Sequence, residues 1–127
     1  MKDNGTMLQV PGTASSELEQ ILAVRKFTGD NACYTGIADA SQRKAAETIL
    51  NNMISDIGSG IADHATEDFV LRHFKIALSE LDRIGVSDTE DREAACEYLE
   101  QVMEAVGLES SYGLLNTWLY GFDISEP

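Results

Sequence analysis

Proline, cysteine and basic residues are all scarce in this chain, and each shortage excludes something. The only two prolines, Pro11 and Pro127, lie at the ends, so nothing between them forbids helix through a lost backbone N–H or a ring clash. The only two cysteines, Cys33 and Cys96, are 63 positions apart, which is neither a disulfide framework nor a metal-ligand spacing. Nine Lys and Arg face 22 Asp and Glu, a net charge of −13. Phosphate binding needs a clustered basic footprint, whereas Arg25/Lys26, Arg43/Lys44, Arg72/Lys75, Arg83 and Arg92 are scattered, which argues against nucleic acid as a ligand. Long apolar runs are missing too, and residues 1–6 lack the apolar stretch of a secretory signal. The expectation is a cytoplasmic protein with reduced thiols and no membrane contact.

What is present fits one domain. At 127 residues and 43% hydrophobic content, a core can form without disulfide or metal staples. The charge is lopsided: residues 1–78 carry ten acids and seven bases, and residues 79–127 carry twelve acids and two bases. Glycines punctuate the sequence into segments with helix signals, expected over 16–28, 40–57, 67–84, 88–106 and, more briefly, 111–120. Asp39 and Thr66 read as caps of the second and third, and Ser87-Asp88-Thr89-Glu90 as a capping box in which Ser87 accepts from the Glu90 N–H. The third should bury Val70, Phe74, Ala77, Leu78 and Leu81. Ser110 or Ser111 reads as the cap of the fifth. Gly58-Ser59-Gly60 reads as a helix stop and Gly107 as a C-terminal cap. Alternating strand patterns are absent, so the fold class is all-α, a single-domain bundle of four to five helices spanning 15–122. Residues 1–14 read as a flexible arm and 123–127 as a tail.

The fourth helix carries the sharpest pattern. Glu90, Glu93, Glu97, Glu100 and Glu104 follow at spacings of three and four, which keeps them within about 80° of one another around the axis. This acidic ridge lies opposite the apolar stripe of Ala95, Leu99, Val102 and Val106, with Arg92 as the only basic residue nearby. The bland reading is a solvated face. The functional reading is a contact surface, because like charges at these spacings repel and a cationic partner relieves the repulsion.

Other chemistries find little support. Di-iron bundles use Glu-x-x-His on inward faces, and no Glu here has His three residues on. Residues 88–99 lack the sixth-position Gly and terminal Glu of a calcium loop. His64 and His73 read as structural histidines, Cys33 as an exposed thiol without a base, and Cys96 as a small core hydrophobe. No catalytic residue, metal ligand or cofactor site is expected, and the chain reads as a non-enzyme. Among the clustered aromatics Tyr112, Trp118, Tyr120 and Phe122, Trp118 shares the stripe of Leu115 and Leu119 and reads as core. Tyr120 points away from that stripe and is the better contact residue.

Two stretches together carry a resemblance. Tyr34-Thr35-Gly36-Ile37, leading into the second helix, and the run from Asp88-Thr89-Glu90-Asp91-Arg92-Glu93 through Gly107-Leu108-Glu109-Ser110-Ser111-Tyr112-Gly113-Leu114-Leu115-Asn116-Thr117-Trp118-Leu119-Tyr120-Gly121 resemble a family of small bacterial domains of unknown function. The likeness extends over most of 18–122 and implies a bacterial, cytoplasmic helical domain with no catalytic residues to carry over. In size and charge the chain is also similar to bacterial immunity proteins, acidic partners of nuclease toxins. The expected function is an acidic protein-binding module of that kind, which covers the cationic surface of a basic, nuclease-type toxin domain with Glu90, Glu93, Glu97, Glu100, Glu104 and Tyr120. The alternative is a helical adaptor or homo-oligomeric regulator working through the aromatic C-terminal segment. The expected state is a monomer or weak homodimer.

Overall fold

A computed structural model describes residues 6–29 and 34–121. Five helices follow in order: α1 (Ala14–Ala23), α2 (Ala40–Gly60), α3 (Glu67–Arg83), α4 (Thr89–Val106) and α5 (Leu114–Tyr120). No strand occurs among the described residues, and Met7 and Thr66 form an isolated antiparallel bridge. α2 packs on α3, α1 touches both α2 and α4, and α5 packs on α4. Among the described residues, no helix is long and apolar enough to cross a membrane.

The apolar stripes read from the sequence are the surfaces that meet. Val70, Phe74, Ala77, Leu78 and Leu81 of α3 are all buried, as are Ala95, Cys96, Leu99, Val102, Ala105 and Val106 of α4. With Leu50, Ile54 and Ile57 of α2 they form one continuous core. Removing these large side chains from water is the main force holding the layers together, at roughly 1.5–3 kcal/mol for each one fully buried.

Helix ends follow local chemistry with some corrections. The Asp39 and Thr66 side chains accept from the N–H groups of Gln42 and Phe69, as expected. On α4 the cap is Asp88 rather than Ser87, its carboxylate accepting from the Glu90 N–H at 2.8 Å. Gly107 ends α4 with φ at 83°, and the Leu108 N–H reaches back to the Met103 carbonyl. α2 does not stop at residue 57 but runs through Gly58-Ser59-Gly60. Gly60 is small for a packing reason: a Cβ there would lie 2.7 Å from Cζ of Phe69. α5 starts at Leu114 with Gly113 as its cap residue, so neither Ser110 nor Ser111 opens it. Instead Ser110 Oγ accepts from the Tyr112 N–H and Ser111 Oγ from the Leu115 N–H.

α1 is shorter than expected at its C-terminal end because residues 26 and 27 turn inward. Lys26 is completely buried, and its Nζ donates to the carbonyls of Ile21 at 2.7 Å and Val24 at 2.9 Å. Its backbone N–H donates to Glu47 Oε2, and the Phe27 N–H donates to the Tyr98 hydroxyl. Phe27 is therefore core but not helix, held at a φ of 62°. At the other end, residues 6–13 are not a detached arm. Leu8 is buried, its N–H donates to the Ala65 carbonyl, and the Glu67 N–H donates to the Thr6 carbonyl. Residues 1–5 of the expected arm and the tail at 123–127 lie outside the described residues, as do Cys33 and Phe122.

Candidate functional site

α4 displays the acidic ridge because its buried residues fix its rotation. With Ala95, Leu99, Val102 and Val106 turned to the core, Glu90, Glu93, Glu97, Glu100 and Glu104 are all exposed. Among the described residues none of the five takes part in an ion pair. Arg92, which the sequence places beside them, is turned away. Its guanidinium donates to the carbonyls of Val86 and Trp118 and to Asp82 Oδ1, and lies 4.2 Å from the Trp118 ring centroid. This clamp ties the end of α3 to α4 and α5 and, among the described residues, leaves the ridge without a local cation. Asp91 is also engaged elsewhere, accepting from the Tyr34 hydroxyl at 2.7 Å. Burial, then that bond, holds the Tyr34 phenol well above its ordinary range.

The C-terminal half of the ridge borders two hollows. One, of about 360 Å³, lies between α1 and α4 and is lined by Glu17, Gln20, Ile21, Val24, Gln101 and Glu104. The other, of about 440 Å³, is lined by Glu100, Met103, Glu104, Gly107, Leu108 and Glu109. Glu104 thus stands on the rim of both. The sequence alone supplied the ridge but not these flanks, since Glu17 and Val24 reach α4 only through the packing of α1. The burial of Lys26 was also illegible, since the sequence shows it only as one of several scattered cations. Burial lowers its pKa from the ordinary lysine value, with Glu47 opposing.

Elsewhere, a hollow of about 220 Å³ between α2 and α3 runs over Ile49, Met53 and Ala77 and is bordered by His73, Ile76 and Glu80. His73 and His64 flank the Phe69 ring, the first edge-on at 4.7 Å and the second stacked at 5.4 Å. Both histidines are thus packing partners of one ring. Cys96 is buried with its Sγ 3.9 Å from the Leu115 carbonyl oxygen. Burial first, and then the charge of Glu100, pushes its thiol up to about 11. No group of three His, Cys, Asp or Glu able to hold a metal ion occurs among the described residues. Trp118 is half-buried, its indole N–H donating to Asp82 Oδ1, while Tyr120 is 47% exposed. Tyr120 lies on α5, and the structure records no contact that joins it to the ridge.

A family model for a domain of unknown function, DUF4844, matches residues 9–123, and the chain belongs to that family. No curated protein and no solved structure matches it.

Proposed function

We propose that this member of the family is an acidic, non-enzymatic protein-binding module, an immunity-type inhibitor that works in the bacterial cytoplasm. Its partner is a basic, nuclease-like toxin whose cationic surface it covers. One observation carries the reading: five carboxylates stand in a row on α4 with no cation in contact among the described residues, the nearest arginine being withdrawn into the α3–α4–α5 clamp. A surface that holds nucleic acid must be cationic. A polyanionic helix can occupy or obstruct such a surface, and its field speeds the encounter.

The test uses the purified protein as bait in a lysate of its source organism, beside a variant carrying Glu93→Lys, Glu97→Lys and Glu100→Lys. These side chains are exposed, so circular dichroism should report an unchanged fold. The expected result is a basic protein held by the wild type in low salt, released in high salt, and missed by the variant. Capture of the same proteins by both baits refutes the ridge as the binding surface. A second reading has an observation of its own, since Tyr112, just before α5, and Tyr120, its last residue, are exposed: a helical adaptor or homo-oligomeric regulator. It requires salt-insensitive self-association at micromolar concentration, measurable by sedimentation.

A further inference from the structure

We infer that the groove between α1 and α4 is the docking site for a basic segment of the partner that also carries aliphatic side chains. The inference rests on the ridge as the binding surface and says where along it the partner anchors. Val24 is 51% exposed, one of few large apolar side chains left in water. It shares its hollow with Ile21 and with two carboxylates, Glu17 of α1 and Glu104 of the ridge. Gln20 and Gln101 supply amide donors and acceptors in the same wall, and no cation lines it among the described residues. Arg25, next to Val24 in sequence, leans toward Glu47 of α2 instead, with Nε at 3.7 Å. An apolar floor between acidic rims fits an aliphatic side chain flanked by Lys or Arg. The same charge repels nucleic acid and anionic lipid, and a second copy carrying −13 is disfavoured.

The groove wall is held rigid by a separate device. The two carbonyls that receive the Lys26 ammonium are those of Ile21 and Val24, the two apolar lining residues. A buried ammonium is costly unless it is hydrogen-bonded, and here it pins the α1 terminus where that helix would otherwise fray. A wall already fixed in place loses little entropy when a ligand settles against it.

The probe is a fluorescent synthetic peptide alternating Lys and Leu, compared with one of equal length and charge alternating Lys and Gly. Anisotropy reads affinity for the full chain, and amide NMR shifts locate the contact. The Lys-Leu peptide is expected to bind at least about fivefold more tightly than Lys-Gly, as partial burial of one aliphatic side chain provides. The preference should vanish in Val24→Ser, a change at an exposed position. Glu104→Gln should weaken both peptides, with shifts at residues 20–24 and 101–104. Equal binding of the two peptides, unaffected by Val24→Ser and with shifts confined to residues 90–97, overturns the groove while leaving the ridge as the binding surface. Failure of both peptides to bind even at low salt overturns the ridge reading, and the groove with it.

Discussion

Neutralising the ridge should make the protein more stable. Its successive pairs are Glu90–Glu93, Glu93–Glu97, Glu97–Glu100 and Glu100–Glu104, and every pair contains at least one of the three central residues. Replacing Glu93, Glu97 and Glu100 by Gln therefore removes all four repulsions, each about 0.2–0.5 kcal/mol on an exposed helix, for a gain of about 1–2 kcal/mol. Intrinsic propensity does not confound the comparison, since Gln and Glu are nearly equal helix formers. Urea unfolding followed by circular dichroism gives the difference in stability. In about 0.01 M salt, where the Debye length is about 30 Å, the variant should unfold at higher urea with an unchanged slope. In about 1 M salt, where that length is about 3 Å, the advantage should largely disappear. An equally stable variant, or an advantage that survives high salt, refutes the claim that the ridge is electrostatically frustrated. It would also remove the physical reason for assigning the ridge a cationic partner.

Two further perturbations test the scaffold. Gly107→Ala should destabilise by about 1–2 kcal/mol through its positive φ alone, and by more because the added Cβ would lie 2.5 Å from the Gln9 carbonyl oxygen; in a chain lacking residues 1–10 only the first part should remain, and equal losses in the two backgrounds would show that the N-terminal segment is not seated on α4. In a Cys33→Ser protein, Cys96 should react with a disulfide reagent far more slowly than free cysteine near pH 8, because burial pushes its thiol up to about 11. The sign also fixes a pH window: a raised folded-state pKa contributes stability that is complete below the unfolded value near 9 and lost as pH rises from there through about 11. Prompt labelling of the native protein, or stability indifferent to that window, would contradict a buried thiol.

The legible parts of the fold were those set by period and cap chemistry. The stripes of α3 and α4 and the caps at Asp39 and Thr66 need no knowledge of what lies across the core. Failures came where a distant group decides. Gly60 reads locally as a breaker, yet it is helical and leaves room for Phe69. α1 ends early because Lys26 and Phe27 are claimed by Glu47 and Tyr98, 21 and 71 positions away. The ridge was readable because one helix carries it. Its flanks were not, because α1 must first be packed against α4 before Glu17 and Val24 can border Glu104.

The fate of the cations makes the ridge's field stronger than a net charge suggests. Formal charge treats each Lys and Arg as cancelling an acid nearby, but several here are directed at main-chain carbonyls. Lys26 serves Ile21 and Val24, Arg43 serves Ile37, and Arg92 divides its donors among Val86, Trp118 and Asp82. In residues 79–127 the only two bases are Arg83 and Arg92, and their carboxylate partners, Glu80 and Asp82, both belong to α3. None of that positive charge reaches the exposed side of α4. A row of carboxylates with its cations drawn elsewhere in the fold projects its field into solvent until a Debye length cuts it off. Capture of a basic protein through this surface should therefore depend steeply on salt in its association rate and much less in its dissociation rate, the distinction that separates long-range steering from short-range contact in the α1–α4 groove.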